Sequence, residues 1–586
     1  MHVIRRVAFV ALVASALCAV PALAATPRVE APGRGASVRV DAASGESEDA
    51  MVVVHGVSGR LSAHFDGASA AFLPTSLSVL RVATTQVAGR EVADPLPPLE
   101  RRAAISGAGP VRLVLRFRVP EGTAAGSYDG RLVFAQNGQP FETLPVRLRV
   151  FAVRLPARDD RTAFRTLFLI QPQTYLDAVA AHSRVASETV GPEVTDRLYA
   201  FLSDYRLSPG DWGFGTPWPD GYAERPGWSQ ASATRMSAEG RYPFRTMRLP
   251  LGTQRSGPSR TGQTARSPAT WTAYLTDRVL PFWREHGWLD RALVWGWDEP
   301  GPVYGRQFAA PQACAAHAAG VAYLTTGAPS RRIPARRVTI PWGQGTRSFT
   351  IRAHGEDNGY LWDDQGCDDV DIWAVLSRRY YGSFATPVEQ KAHIAAQREL
   401  QGAIRTARRR GASIWSFTYD SKSGLGSPGY AATEPPTDAR VFGLWNALEG
   451  LDGTLYADGM VSYGHVDPYR RLAQNGQHVL LYPALRSTDE PVSSLRLENL
   501  RDGIEDADLA RLVVAQHGRA ALLAMLARER IFSIRRGRLL LGCKMGCDLV
   551  TGTKYAWPRY RHGAGTAAAL ERVHTALLEA LAPPPA

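Results

Sequence analysis

A β-sandwich, then a (β/α)8 barrel, then a C-terminal helical extension is the fold this 586-residue sequence predicts. Three observations carry that expectation. Residues 28–155 hold only short alternating strand-like runs. From there to about residue 470, apolar runs alternate with amphipathic helical stretches. Beyond Ser493 the chain reads as mostly helical.

The chain opens with Arg5-Arg6, an apolar run over 7–20 and the small-x-small segment Ala22-Leu23-Ala24. That is the pattern of a secretory signal peptide cleaved near Ala24, and it predicts an exported protein. The apolar run is short for a membrane span, and no later stretch approaches ~20 uninterrupted apolar residues. Leu17 before Cys18 does not fit a lipoprotein anchor. The expected organisation is a signal peptide over 1–24, a β-sandwich over 28–156, a catalytic barrel over 160–470 and an extension over 471–586 that packs on the barrel.

In the first region, VRLVLRFRV (111–119), GRLVFAQ (130–136) and LPVRLRVFAV (144–153) alternate apolar and polar residues. Turn signals bound them, among them QNGQ at 136–139. Many short strands and no useful helical period make a sandwich the natural architecture.

Eight strand-like runs follow: 164–170, 207–214, 244–252, 292–299, 336–342, 370–376, 412–419 and 453–458. Helical patterns fall at 190–205, 269–286, 307–320, 387–410 and 438–449. This interleaving predicts the barrel. HVLLYPA (478–484) reads as one more strand, and the rest from Ser493 reads as mostly helical, over 497–518, 521–532 and 566–582.

The formal charge of +13 invites a nucleic-acid reading. Only four of the 68 basic residues are Lys, and the Arg are spread along the chain. The dense run Arg408-Arg409-Arg410 closes a helix, where cations suit the dipole. No nucleic-acid partner is expected. Cys314, Cys367, Cys543 and Cys547 remain after export, and an even number in an oxidising compartment predicts disulfides. Local pairing would join Cys314 to Cys367 and Cys543 to Cys547, although four Cys allow three connectivities. A zinc site at GCKMGC lacks a second ligand pair at the usual spacing, so no metal is expected.

The most informative segment is ALVWGWDEPG (292–301), an apolar strand running into the adjacent carboxylates Asp298 and Glu299. Barrel active sites sit at the C-terminal strand ends. Neighbours on a regular strand point to opposite faces, so both acids reach one pocket only where Pro300-Gly301 break the strand. A carboxylic acid beside a carboxylate suits acid–base chemistry, because the neighbouring charge raises one pKa. The alternative is a strand-end pair that caps the next helix.

WDEPG and SSLRLENLRDGIEDADLARL (493–512) together resemble glycoside hydrolase family 123. So do 110–134, VDIWAV (370–375) and RVFGLWNALEGLDGTLYAD (440–458), in the family's order; residues 160–285 match it poorly. The resemblance implies the sandwich and barrel already read from the pattern, N-acetyl-β-galactosaminidase or related hexosaminidase chemistry, and a glycan substrate. It also implies that Glu299 acts as acid then base, while Asp298 orients the substrate's 2-acetamido group. Substrate-assisted enzymes stand outside the two-carboxylate scheme, so an adjacent pair suffices. No cofactor is implied.

Aromatic residues on or after the strand candidates are expected to stack on sugar faces: Trp297, Trp373, Trp415, Tyr381 and Tyr419. Tyr419 is the candidate for a hydroxyl facing the acetamido oxygen. The competing expectation is that such residues are core. RDGIED (501–506) is read as an amphipathic helix with an i,i+4 pair between Arg501 and Glu505, used for docking rather than catalysis. DDQGCDDVD (363–371) lacks the spacing of a calcium loop and reads as solvated. Two further readings remain open: a glycosidase for a sugar without an acetamido group, and a secreted carbohydrate-binding protein without turnover.

Overall fold

The computed structural model describes residues 27–583 apart from 32–36, 68–72, 102–108, 171, 186–191, 211–243, 250–267, 296–309, 343–344, 357–369, 378–379, 381–382, 385–397, 399, 419–427, 457–462, 464–465, 474, 537, 540, 543–553, 556, 562 and 564.

Two four-stranded sheets form the sandwich. One orders Arg28–Glu30, Ser47–His55, Val111–Arg118 and Leu77–Arg81; the other orders Val38–Ser44, Gln139–Arg154, Gly126–Gln136 and Leu61–Asp66. Period-two alternation sends Val38, Val40 and Ala42 inward against Leu113, Leu115 and Phe117 in a single apolar core. The QNGQ turn is as the sequence predicts. Asn137 and Gly138 take φ of 50° and 82°, and Gln136 pairs with Gln139. Two positive φ values match the twist of the flanking strands.

The second unit is a nearly closed parallel barrel. Its seven-stranded sheet runs Arg165–Phe168, Gly453–Tyr456, Ser413–Thr418, Ile372–Leu376, Ala322–Thr326, Ala292–Trp295, Met247–Arg248. The gap between Arg165–Phe168 and Met247–Arg248 is filled by Leu207–Gly210, which bridges Phe168 in parallel at Pro209. The Phe168 N–H donates to the Ser208 carbonyl at 2.9 Å, and the Gly210 N–H to the Phe168 carbonyl at 2.6 Å. Alternation again sets the faces. Leu167, Leu293, Trp295, Leu324, Ile372, Ala374 and Leu455 fill the barrel, while Phe168, Val294, Tyr323, Trp373 and Ile414 pack outward under the helices.

One expected strand is misplaced. The fifth barrel strand is Ala322–Thr326, not 336–342, which belongs to an antiparallel ribbon of Ala328–Trp342 with Gly345–Glu356. Alternation is common to ribbons and barrel strands, but Pro341 disfavours a place inside a sheet. HVLLYPA also differs from expectation. It is buried from Val479 on but forms no named strand, and Tyr482 bridges Val492 in isolation.

Helix Leu495–His517 carries RDGIED and lies between the two units. It is not amphipathic: over 495–510 nearly every residue is buried, charged ones included. Its charges are paired on all sides. Glu498 meets Arg116 of the sandwich at 3.0 Å, Glu505 meets Arg206 at 2.9 Å, and Asp508 meets Arg245 at 2.7 Å. Arg496 reaches Asp94 at 2.7 Å. The expected Arg501–Glu505 pair is present at 3.8 Å, yet Asp502 at 2.6 Å and sandwich Asp49 at 3.3 Å are closer to Arg501. The docking role read for this element is therefore met by ion pairs rather than by an apolar stripe. Helix Thr437–Leu448 crosses the long helix in backbone contact. A Cβ on Gly443 would lie 1.9 Å from the Gly503 carbonyl oxygen, so the crossing requires the missing side chain.

Candidate functional site at the C-terminal mouth of the barrel

Strand Ala292–Trp295 stops three residues before Asp298. Asp298, Glu299, Trp297, Tyr381 and Tyr419 all lie outside the described residues, as do Cys367, Cys543 and Cys547. Cys314 is buried in helix Ala310–Ala318.

The described residues build the floor beneath that strand end. Trp295 closes its strand facing inward and is 1% exposed. Its indole N–H has no acceptor among the described residues. Arg248, at the end of the neighbouring strand, places its guanidinium 5.0 Å from the Trp295 ring centroid and donates from Nη1 to the Gly210 carbonyl at 2.8 Å. A buried cation at a strand end is costly without a purpose, and cation–π contact offsets part of that cost. Three consecutive strand ends thus converge on one charged, aromatic corner. Sequence reasoning missed Arg248. The signal was an arginine inside the apolar run 244–252.

Trp373 and Trp415 do not belong to this mouth. Trp373 faces out of the barrel into the core beneath the helices. Trp415 faces in but near the barrel's N-terminal end, opposite Gly453 in register. Its indole N–H donates to Ser413 Oγ at 3.1 Å, and Arg165 lies over its ring at 5.0 Å. A Cβ on Gly453 would stand 2.8 Å from that ring, so the glycine makes room for the plug. Both tryptophans are core, the competing expectation for aromatic residues on barrel strands. Tyr380 is likewise buried, edge-on to Trp445 at 5.4 Å.

One other expectation resolves in part. Asp371, the last residue of the acidic run, accepts from the Tyr323 N–H at 2.7 Å and pairs with His317 at 2.8 Å, so it anchors a strand start. A cavity of about 630 Å³ lies between the sandwich and residues 485–493, with Phe65, Leu80, Arg116 and Pro491 in its wall. None of the residues in its wall belongs to the barrel's strand ends, and we do not assign the chemistry to it.

No protein-family model and no curated protein matches the chain. Among solved structures, it is similar to a family 123 glycoside hydrolase from Clostridium perfringens studied for glycolipid glycan hydrolysis. The match is 11% identical over 93% of this chain and 94% of that one, with a TM-score of 0.57. It also aligns with a family 39 glycoside hydrolase from Bacteroides cellulosilyticus (12% identity, 83% of each chain, TM-score 0.23). A third is a putative glycoside hydrolase from Bacteroides vulgatus (9%, 81% of this chain and 78% of that one, TM-score 0.24). A sandwich joined to a nearly closed parallel barrel is thus the class of architecture. More particularly, the chain has the fold of the family 123 enzyme, the family its motifs resemble.

Proposed function

We propose that the chain is an exported glycoside hydrolase, specifically a retaining β-N-acetylhexosaminidase that uses substrate assistance. The observation that carries this reading is the family 123 fold over nearly the whole chain, with an Asp-Glu pair three residues past the fourth barrel strand. Fold does not dictate function, so the argument rests on the pair. The substrate class is the glycan of a glycolipid or other glycoconjugate.

In this mechanism Glu299 gives its proton to the glycosidic oxygen as the bond to the anomeric carbon breaks. The 2-acetamido carbonyl oxygen bonds to that carbon from the opposite face. Asp298 accepts the acetamido N–H and stabilises the charge that develops. Water then attacks the anomeric carbon, Glu299 takes its proton, and the acetamido oxygen leaves. Two inversions retain configuration, and no protein nucleophile is needed. Arg248, at the end of the neighbouring strand, brings a positive charge to this mouth, and such a charge favours ionised carboxylates.

Nitrophenyl β-glycosides of N-acetylgalactosamine, N-acetylglucosamine, galactose and glucose test this reading on residues 25–586. Release confined to the acetamido sugars, and lost in Glu299→Gln, is the expected result. Glu299-dependent release from galactose or glucose discards substrate assistance but keeps the glycosidase. Release that is unchanged in Glu299→Gln removes the acid–base assignment.

A further inference from the structure

His574, on helix Thr566–Leu581, is 1% exposed where the C-terminal helix, the long helix and both sandwich sheets meet. Its Nδ1 is 2.9 Å from Asp506 Oδ1, and its Nε2 is 3.2 Å from the Asp41 carbonyl oxygen. Both partners are acceptors, so both ring nitrogens must carry hydrogen: the geometry demands an imidazolium. Glu48 and Glu46 stand 3.6 and 3.7 Å from Nε2.

The charge count around this ring does not close on fixed charges alone. Arg440, on helix Thr437–Leu448, pairs with Asp506 at 2.6 Å, Glu48 at 3.3 Å, Asp502 at 3.5 Å and the half-exposed Glu571 at 2.9 Å. Asp502 has its own cation in Arg501, and Glu505 has Arg206. Glu46, Glu48 and Asp506 remain, facing Arg440 and His574. Three fully buried carboxylates against two cations, one of them shared with Asp502 and Glu571, leave at least one negative charge buried, and a proton is the simplest ion to cancel it. Glu46 is the natural holder. Its Oε2 accepts the Ala43 N–H at 2.6 Å, while its Oε1 is buried without a donor among the described residues. An ionised carboxylate there would leave a charged oxygen unsolvated. The convergence of Glu46, Glu48 and His574 also has the look of a metal site. However, the Asp41 carbonyl already occupies the direction in which Nε2 would offer its lone pair.

We propose that His574 and the Glu46–Glu48 pair form a proton-dependent clamp that holds the helical extension to the sandwich and loosens as the medium turns alkaline. Both titrations work in that direction. Burial pushes Glu46 up from 4.5 to about 7, against the pull of His574. Folded protein therefore keeps a proton that the unfolded chain releases above 4.5, and that stability is lost as pH rises through 7. Burial alone would lower His574, but Glu48, Glu46 and Asp506 outweigh it and raise it well above 6.5. Its contribution is complete below 6.5 and is lost as pH rises through the folded value. Asp502, pushed up to about 6 by burial, adds to the same slope.

Thermal unfolding of the full mature protein between pH 5 and pH 9 tests the clamp. Wild type should lose several degrees of Tm across that range and take up protons on folding at pH 7.5. Glu46→Gln, which mimics the protonated acid, should raise Tm at pH 8.5 and flatten the profile. His574→Gln should lower Tm most at pH 5.5. A flat wild-type profile without proton uptake overturns the proposal, and this holds even if the variants fail to fold. So does an equal loss in Glu46→Gln at every pH. One equivalent of bound metal, whose removal by chelator lowers Tm, overturns it in favour of a cation site.

Discussion

Replacing Gly443 by alanine separates two opposite expectations. Helix propensity alone favours alanine over glycine in a helix interior by about 1 kcal/mol. Packing says the reverse. The added Cβ would sit 1.9 Å from the Gly503 carbonyl oxygen, and ordinary contact begins near 3.4 Å. The helices must therefore part by roughly 1.5 Å, the difference of those two distances. Overpacking of this kind costs about 1–3 kcal/mol. The same movement stretches Arg440, whose contacts to Asp506 and Glu48 are 2.6 and 3.3 Å, in a setting where breaking a buried pair costs about 3–5 kcal/mol. Partial relaxation of both gives a net loss of about 2–4 kcal/mol. Urea unfolding monitored by tryptophan fluorescence and by far-UV circular dichroism reads this directly as a lower midpoint. A midpoint equal to or above wild type would refute the close crossing, because propensity would then be acting unopposed.

The other expectations concern the barrel and the acid limb. Glu299→Gln and Asp298→Asn should each lower kcat by two orders of magnitude or more, on the scale of about 100- to 10,000-fold for general acid–base groups, without changing the unfolding midpoint. Arg248→Met should lower turnover and shift the acidic limb of the pH–rate profile upward, since a positive charge near the acids is removed; an unchanged limb would detach Arg248 from the chemistry. Burial tends to raise Glu498, but Arg116 and Arg501 prevail and hold it near 2, below its ordinary 4.5. Its stabilising contribution is therefore present above 4.5 and lost as pH falls toward 2, and in Arg116→Met the acid-unfolding midpoint should move to higher pH. Non-reducing peptide mapping should find Cys314 joined to Cys367 and Cys543 to Cys547.

What could be read from the sequence followed from period and punctuation. The Asn137-Gly138 turn and six of the eight barrel strands are visible in the sequence, with a seventh run meeting the sheet by a single bridge at Pro209, because short apolar runs bounded by turn residues have few other uses. The fifth strand was lost because AYLTT at 322–326 is short, while the longer alternation at 336–342 imitates a strand and is one, in a ribbon. Trp373 and Trp415 were placed wrongly for a different reason. Strand membership is local, but whether a ring faces the mouth, the floor or the helices depends on register across four or more strands. The mouth residue Arg248 was obscured by composition, since one arginine among 64 does not stand out.

The most distinctive stretch of the sequence, RDGIED, turns out to be a joint rather than a site, and the physics of the joint explains its distinctiveness. Gly503 must be glycine because Ala439 and Arg440 backbone atoms stand 2.9 Å from where its Cβ would be. Arg501, Asp502, Glu505 and Asp506 are each buried and each tied to a charge on another element, so removing one strands its partner in low dielectric. A stripe of leucines would tolerate exchange for isoleucine or methionine at small cost. A network of buried ion pairs tolerates few such exchanges without a second change. The sandwich, the barrel and the helical extension therefore meet through groups that specify one geometry. That geometry sets the long helix against the barrel whose strand ends lead to Asp298 and Glu299.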